Sequence, residues 1–295
     1  MIYGMKRLLL VSILCSLFVS VAFAQTLTVG SYNIRYKNKS DSLEGNGWEA
    51  RCPAICNQIL WESPDIFGAQ EVLHPQLLAM EKGLRGQYRW IGVGRDDGKQ
   101  KGEYAAIFYD AKRLELLDEG HFWLNETPDR PALGWDAACI RICTWGHFRD
   151  CASQQDFYFL NLHMDHVGMV ARSESAKLVM KRITEMTNGG EKLAVLTGDF
   201  NVSQNDDLYR LFTETGVLKD CYTSAELCFA ENGTFNGFNT NRYTPDHIDH
   251  IFVTPDTNVD AFAVRTDARW QQEADNHMRR RPLSDHYPIF ARIRF

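Results

Sequence analysis

The sequence lacks several motifs that indicate other chemistries. None of its eight cysteines form a Cys-x-x-Cys pair, so a structural zinc site is not expected. No Gly-x-Ser-x-Gly segment occurs, which argues against a serine hydrolase with a nucleophile elbow. The chain also has no internal repeat, no low-complexity tract and no linker rich in proline or serine. Residues 25–295 are therefore predicted to form one domain.

Positive charge is scarce as well. The 295 residues include 32 lysines and arginines against 38 aspartates and glutamates, a formal net charge of −6. Without Lys6 and Arg7, which precede an apolar leader, 30 basic residues remain and the charge becomes −8. A protein that follows a long nucleic acid along its phosphates usually carries a basic face. The acidic balance argues against such a track, although a local basic pocket stays open.

The first residues predict export. Lys6 and Arg7 are followed by the apolar run Leu8–Phe23, and Ala22 and Ala24 stand where a signal peptidase reads small residues. This order is typical of a secretory signal peptide, here residues 1–24. The run is shorter than the roughly twenty residues of a membrane span, which disfavours the alternative of a retained anchor. We expect a mature chain without a transmembrane segment, located in the periplasm or outside the cell.

Export permits disulfides. Seven cysteines follow the leader, and Cys221 and Cys228 form the favoured local pair. The remaining pairing is left open, since an odd number leaves at least one thiol unpaired.

Hydrophobic periodicity predicts a chain that mixes strands with helices. Strands are predicted at 27–34, 66–69, 88–94, 104–109, 138–148, 157–163, 193–197, 248–253 and 289–295. Helices are predicted at 48–61, 74–84, 170–186 and 207–215. The order combines hairpins with crossovers. We therefore expect an α/β fold, a four-layer sandwich in which two mixed β-sheets pack face to face and helices flank them.

Polar residues follow six of the apolar strands at the point where each strand stops. The segments are Ser31-Tyr32-Asn33-Ile34-Arg35, Gln70-Glu71, Asn161-Leu162-His163-Met164-Asp165-His166, Thr197-Gly198-Asp199-Phe200-Asn201, His247-Ile248-Asp249-His250 and Ser284-Asp285-His286-Tyr287-Pro288. Ligand sites in layered α/β folds lie beyond strand ends, so these segments can face one pocket. Any single one of them is more often a turn or a helix cap. Together they supply the residue types of one chemistry.

That chemistry is metal-assisted phosphoester hydrolysis. It needs hard carboxylate ligands for Mg²⁺ or Mn²⁺, neutral amides that orient phosphate or water, and histidines that move protons near neutral pH. The candidate carboxylates are Glu71, Asp199, Asp249 and Asp285. The candidate amides are Asn33 and Asn201, and the candidate histidines are His163 and His286. Cations that neutralise the phosphoryl oxygens remove much of the barrier to nucleophilic attack.

The segments containing Asn33, Glu71, Asp199 and Asp285 resemble, in type and order, those of the endonuclease/exonuclease/phosphatase superfamily. This superfamily includes deoxyribonuclease I, exonuclease III, apurinic endonucleases, neutral sphingomyelinases and inositol-polyphosphate 5-phosphatases. The resemblance runs from Leu27 to the C-terminus and is closest to secreted bacterial members. It implies a deoxyribonuclease I-like sandwich and a Mg²⁺- or Mn²⁺-dependent hydrolase of phosphoesters.

The resemblance also implies binding roles. Glu71 resembles the principal metal ligand, with Asn33 and Asp285 beside it. For contacts with the substrate we predict Asn33, Arg35, Asn201 and His163. Arg51, Arg95 and Lys99 are further candidates for contacting phosphate, although solvation at the surface is the common role of such residues.

The implied catalytic residues complete the set. Asp199 and Asn201 resemble the pair that orients the nucleophilic water and the phosphate. His286 resembles the catalytic histidine, and Asp249 the carboxylate that holds and polarises it. His163 falls where a second histidine lies near the leaving group. Which histidine acts as base or acid is open, as is the role of Asp165 and His166, which follow His163.

The superfamily leaves the substrate open. The lack of a long basic groove and of a membrane-inserting aromatic hairpin favours a phosphodiesterase or nuclease-like hydrolase acting on a small or flexible substrate, or on nucleic acid. The alternative is a phosphomonoesterase acting on sugar or inositol phosphates, and a sphingomyelinase-like enzyme is less favoured. The segments 121–124 and 234–238 are candidates for the pocket rim. No stable protein partner is implied.

Two other classes were weighed. A non-catalytic binding protein on this fold is expected to have lost Glu71 or His286, and both are present. A glycoside hydrolase with paired carboxylates leaves Asn33 and Asn201 without a role and predicts activity that survives EDTA.

Overall fold

The computed structural model describes residues 26–295, and the predicted signal peptide lies outside them. The strands are β1 (Leu27–Asn33), β2 (Ile66–Leu73), β3 (Tyr88–Ile91), β4 (Glu103–Asp110), β5 (Leu114–Trp123), β6 (Ile142–Asp150), β7 (Asp156–His163), β8 (Leu193–Asp199), β9 (Lys219–Asp220), β10 (Leu227–Phe229), β11 (Asp249–Val253), β12 (Asn258–Val264), β13 (Ala268–Gln272), β14 (Met278–Pro282) and β15 (Ile289–Arg294). The helices are α1 (Lys39–Leu43), α2 (Trp48–Glu62), α3 (His74–Gly83), α4 (Met169–Thr187), α5 (Arg210–Thr213) and α6 (Cys221–Ser224), with a 3₁₀ turn at Asp207–Tyr209.

Two large mixed sheets form the centre of the fold. The first has seven strands in the order β10-β12-β15-β1-β2-β4-β3, and the second has six in the order β5-β6-β7-β8-β11-β9. Parallel pairs, such as β1 with β2 and β7 with β8, occur beside antiparallel ones, such as β1 with β15 and β8 with β11. β13 and β14 form a separate hairpin. The predicted fold class is confirmed.

Hydrophobic burial explains the layers. Side chains of both sheets meet between them, Val29 and Ile107 from the first and Phe159 from the second. α2 and α3 cover the outer face of the first sheet, where Ile55 packs in the cluster that includes the strand residues of β1, β2 and β4. α4 covers the second sheet, where Val179 lies in the cluster that includes residues of β7 and β8. Each fully buried aliphatic or aromatic side chain contributes about 1.5–3 kcal/mol.

One polar bridge crosses the apolar interior between the sheets. Gln70 donates from Nε2 to Oδ1 of Asn161 (2.7 Å), and Asn161 donates from Nδ2 to two carbonyls of the first sheet at 3.1 and 2.9 Å. Gly68 makes this approach possible, because a Cβ there would lie 2.2 Å from Asn161 Oδ1. Gln70 precedes Glu71, and Asn161 lies two residues before His163. The bridge therefore fixes the spacing of the sheets next to the predicted site.

Several predicted elements need correction. The strand expected at 138–148 begins only at Ile142, and the strand expected at 88–94 ends at Ile91. The helix expected at 207–215 is a 3₁₀ turn followed by the short α5. β5, β12 and the β13–β14 hairpin were not predicted. The favoured disulfide is not formed, because Cys221 and Cys228 are both free thiols, the first buried and the second exposed.

Within residues 26–295, every helix is too short or too polar to cross a membrane.

Candidate active site

Three neighbouring strands of the second sheet bring functional side chains to one edge. His163 ends β7, Asp199 ends β8 and Asp249 begins the antiparallel β11. The Cα atoms are in register, with His163 opposite Asp199 and Asp199 opposite Asp249. The edge is therefore built by strand pairing, which places the two carboxylates and the imidazole side by side.

The first sheet contributes from the facing edge. Asn33 ends β1, and Asp285 and His286 directly precede β15, which runs antiparallel to β1. Glu71 lies in β2 where the pairing with β4 shifts register, and its φ of 61° is left-handed. A bulge of this kind re-aims a side chain out of the strand alternation. Left-handed backbone at a residue other than glycine costs roughly 1–2 kcal/mol, and such strain concentrates at functional positions.

The amide of Asn33 links the two sheets. Its Nδ2 donates to Oε1 of Glu71 (3.0 Å) and to Oδ2 of Asp199 (2.9 Å). Its Oδ1 accepts the backbone N–H of Arg35 at 3.0 Å. Asn33 therefore holds Glu71 beside Asp199. Its role as a metal ligand stays a prediction, because the amide oxygen faces the Arg35 backbone.

His286 lies between two carboxylates. Its Nδ1 donates to Oδ2 of Asp249 at 2.9 Å, and its Nε2 lies 3.6 Å from Oδ2 of Asp199. Burial lowers the pKa of His286, but Asp249 and Asp199 outweigh burial and raise that pKa well above 6.5. The edge of the His286 ring meets the ring of Phe235, with centroids 5.1 Å apart. The structure therefore favours a cationic, sterically fixed imidazole.

His163 has the opposite electrostatic setting. Its Nε2 lies 3.4 Å from Oδ2 of Asp199, and its buried Nδ1 has no hydrogen-bond partner among the described residues. Burial lowers the pKa of His163 well below 6.5, and the nearby guanidinium groups of Arg141 and Arg95 lower it further. The structure therefore favours a neutral imidazole at this position.

The buried carboxylates of the site lie close together, and this arrangement favours a bound cation. Burial raises the pKa of Asp199, and Asp249 raises it further. Burial likewise raises the pKa of Asp285, as does Glu71. Glu71 accepts hydrogen bonds only from neutral donors, the Asn33 amide and the backbone N–H of Tyr36 (3.1 Å). Hard carboxylate oxygens with this surplus of negative charge suit a divalent cation.

Asp199, Asp249 and His286 also offer ligand atoms within 4.8 Å of one another. His286 already supplies positive charge between these two carboxylates. Among the described residues no cation donates a hydrogen bond to Glu71, and Arg35 acts on it only through space. Glu71 is therefore the better candidate to hold a metal ion, with Asp285 beside it.

The other predicted contact residues lie at the mouth of the site. Arg35 pairs through Nε with Oδ2 of Asp41 (2.9 Å), and its Nη1 lies 3.4 Å from Oδ2 of Asp285. Asn201 donates its backbone N–H to Oδ1 of Asp199 (3.0 Å) and its Nδ2 to the carbonyl of Met164 (3.0 Å). Both residues are therefore within the cluster that the sequence predicts.

The further candidates divide into two groups. Arg51 is fully buried and donates to backbone carbonyls, so it stabilises the fold and does not reach the pocket. Phe122 and Trp123 are buried in hydrophobic clusters, which makes the segment 121–124 part of the core. Phe235, in contrast, packs on His286. The segment 234–238 therefore reaches the rim, as expected.

Sequence reasoning missed Arg141, which is buried next to the site. Its Nε donates to Oδ2 of Asp165 at 3.3 Å, and its Nη2 donates to Nδ1 of His166 at 3.0 Å. Asp165 also accepts the backbone N–H groups of Val167 and Gly168 at 3.0 and 2.8 Å. Asp165 is thus structural. The only sequence signal was a single arginine at the start of an apolar run.

Cys139, Asp165 and His166 could by distance hold an ion, since their ligand atoms lie within 4.8 Å of one another. The guanidinium of Arg141 already contacts the last two of them. A cation at this point disfavours a second one, so we do not assign a metal there.

Solved structures of known proteins are similar to this chain over most of its length. A structure of the mannosyl-6-phosphatase of Bacteroides thetaiotaomicron is 46% identical, over 91% of this chain and 100% of that one, with a TM-score of 0.88. An endonuclease/exonuclease/phosphatase family protein of the same organism is also 46% identical, over 91% and 98% of the two chains, with a TM-score of 0.89. One from Bacteroides vulgatus is 39% identical, over 92% and 99%, with a TM-score of 0.81.

Fold and site together define a phosphoester hydrolase built on two packed sheets. The family model described as "Endonuclease/Exonuclease/phosphatase family" matches residues 30–286. The chain belongs to this family.

Proposed function

We propose that this chain is a divalent-metal-dependent phosphomonoesterase that removes the phosphate of a sugar phosphate such as mannose 6-phosphate. The observation that supports the proposal is the 46% identity to a mannosyl-6-phosphatase over the whole of that chain. Sequence reasoning favoured a phosphodiesterase and held the phosphomonoesterase as the alternative. The identity to a sugar phosphatase now favours the alternative.

The carboxylates of Glu71 and Asp285 would hold the cation, which we propose to be Mg²⁺ or Mn²⁺. When bound, such an ion neutralises charge on the phosphoryl oxygens and on the leaving oxygen. The side-chain amide of Asn33 donates a hydrogen bond to Glu71 and another to Asp199, and so holds the two carboxylates in place. Asn201, anchored on Met164, is placed to orient the phosphoryl group.

Asp199 is the proposed proton acceptor. Its Oδ2 is the atom approached by Asn33 and by the Nε2 atoms of His163 and His286, at 2.9, 3.4 and 3.6 Å. In the proposed step a water molecule gives its proton to Asp199 while its oxygen forms the new bond to phosphorus. The bond from phosphorus to the sugar oxygen breaks, the departing sugar oxygen takes up a proton from solvent, and Asp199 returns its proton to solvent. His286, held by Asp249, donates to a phosphoryl oxygen from Nε2 and stabilises the charge that develops there.

We also propose that the chain is exported to the periplasm or the cell exterior, as the leader at residues 1–24 predicts. N-terminal sequencing of the secreted or periplasmic product tests this. A mature protein that begins near Gln25 is expected, whereas a cytoplasmic protein that retains Met1 would contradict export.

The function is tested with purified protein in Mg²⁺, Mn²⁺ or EDTA. Phosphate release from mannose 6-phosphate is expected with either ion and is expected to stop in EDTA. Asp199→Asn is the matched inactive control. Hydrolysis of bis(p-nitrophenyl) phosphate without release of phosphate from sugar phosphates would replace the proposal with the phosphodiesterase. Activity that survives EDTA would exclude the metal-dependent mechanism.

A further inference from the structure

A small cavity lies beside Glu71, between the two sheets at the site. Its volume is about 10 Å³, room for a single water-sized group. The polar part of its lining consists of Glu71, Arg95, Glu103, Arg141 and His163 together with Tyr104. The site is otherwise rich in carboxylates, so the guanidinium groups of Arg95 and Arg141 at its edge are unexpected. Neither arginine has a role in the proposed catalytic step.

The two arginines are not equivalent. Arg95 is neutralised by Glu103 in a two-point ion pair, with Nη1 to Oε2 at 2.7 Å and Nη2 to Oε1 at 3.0 Å. Arg141 has one carboxylate partner, Asp165 at 3.3 Å, and donates a second N–H group to the imidazole of His166. Among the described residues no hydrogen bond from its Nη1 is found, and this atom is not one of the buried atoms without a partner. Arg141, whose side chain is 5% exposed, thus has a donor that a ligand can reach at the cavity.

The contact with Arg141 also fixes His166. A guanidinium can only donate, so Nδ1 of His166 must accept and the ring proton stands on Nε2. His166 is exposed and contacts Arg141, which lines the cavity, so its Nε2–H is available to a ligand from the solvent side. Asp165 accepts a hydrogen bond from Nε of Arg141 and is itself held by the backbone N–H groups of Val167 and Gly168. Both donors are therefore pre-oriented before a ligand arrives.

We propose that Arg141 and His166 bind the terminal oxygens of a phosphomonoester dianion, and that this contact selects monoesters over diesters. The inference rests on the proposed function and names the residues that give it its specificity. A monoester carries about −1.5 to −2 charge near pH 7, whereas a diester carries only one negative charge. A buried guanidinium with free donors favours the dianion. A cavity of about 10 Å³ has room for one phosphoryl oxygen.

The test compares Arg141→Met and His166→Ala with the wild type. The matched control is Arg149→Met, which removes an arginine of β6, the strand that Arg141 directly precedes; its guanidinium pairs with Asp156 on the surface. Calorimetric titration with inorganic phosphate in Mg²⁺ measures the anion contact directly. Values of kcat and KM for p-nitrophenyl phosphate and for bis(p-nitrophenyl) phosphate measure selectivity.

Loss of a hydrogen bond from a charged donor typically weakens binding by about 10- to 100-fold. We expect Arg141→Met to weaken phosphate binding and raise KM for the monoester by this factor. His166→Ala should do so by roughly 5- to 10-fold, as for a neutral donor. The diester kcat/KM should change by less than about threefold in both variants, and Arg149→Met should match the wild type.

Equal losses on monoester and diester, or unchanged phosphate affinity in both variants, would overturn the assignment. If Arg141→Met does not fold, His166→Ala decides alone, since the side chain is exposed and its removal leaves the core intact. A wild-type protein that releases no phosphate from mannose 6-phosphate in Mg²⁺ or Mn²⁺ would refute the proposed function. The phosphate titration of the variants would still decide whether this is an anion site.

Discussion

The buried guanidinium of Arg51 ties together the two chain segments that carry Asn33 and Asp285. It donates four hydrogen bonds, at 2.6–3.1 Å, to the backbone carbonyls of Asn46, Ile34, Arg35 and Leu283. Burial lowers the pKa of Arg51, because the cation has lost its hydration, and the carbonyl oxygens that accept from it compensate for part of that loss. The side chain is fully buried, so water does not replace these contacts. Arg51 therefore acts as a clamp beneath the site.

Replacing Arg51 by methionine keeps an unbranched apolar stem and removes all four donors. The net contribution of a buried hydrogen bond is about 1–1.5 kcal/mol, so the variant is expected to lose about 4–6 kcal/mol of unfolding free energy. That is a large share of the roughly 5–15 kcal/mol that stabilises a domain. Since 1 kcal/mol shifts Tm by about 2–4 °C at this size, Tm should fall by about 10 °C or more.

Urea unfolding followed by tryptophan fluorescence measures this loss as a shift in midpoint at constant m-value. Arg149→Met is the control, because an exposed ion pair contributes at most about 1 kcal/mol. If Arg51→Met unfolds within 1 kcal/mol of the wild type at the same m-value, the four carbonyls have other partners. The clamp would then be refuted.

Three further predictions concern packing, pH and catalysis. Gly68→Ala should destabilise the fold by about 2 kcal/mol or more, because its Cβ would lie 2.2 Å from Asn161; an unchanged Tm would contradict this close approach. His250, whose pKa is lowered by burial but raised overall through its hydrogen bond to Asp220 (3.1 Å), should stabilise the fold most below pH 6.5 and less as pH rises through the folded pKa. Unfolding of His250→Gln beside the wild type checks this, and a pH-independent difference would exclude it. Asp249→Asn should lower kcat by about 100-fold or more with little loss of stability, measured by phosphate release and Tm; near-normal turnover would remove Asp249 from the mechanism.

Every element that carries a predicted site residue was found from local sequence. The strand that ends at Asn33 was predicted from alternation, and the strands that end at His163 and Asp199 from mostly apolar runs; all three are largely buried in the sandwich. A buried run that stops abruptly at a polar residue is a strong signal, because the polar residue has to leave the core. The bulge at Glu71 was not predictable, since its register shift arises from pairing with β4.

The strands that were not predicted lack a buried apolar run, and the structure explains why. β5 (Leu114–Trp123) lies at the edge of its sheet and exposes much of its length, and the β13–β14 hairpin is largely exposed. Neither needs an apolar pattern to form. The strand predicted from Ala138 begins late because the backbone N–H of Cys139 donates to Asp165, 26 residues away in sequence. A local window does not contain such a contact.

The two histidines show where sequence reasoning reaches its limit and why. His163 ends one strand and His286 precedes another, and their Nε2 atoms lie 3.4 and 3.6 Å from Oδ2 of Asp199. Nothing in the local sequence distinguishes an acid from a base between them. The charged residues next to each imidazole give the two histidines different pKa values. Asp249 stands behind His286, and Arg141 beside His163, so Coulomb interactions raise the pKa of the first ring and lower that of the second against the same background of burial. At neutral pH this favours a cationic His286 and a neutral His163, which supports the proposed role of His286 at a phosphoryl oxygen. Arg141 is 22 residues from His163 along the chain, and only the pairing of β6 with β7 brings the two together.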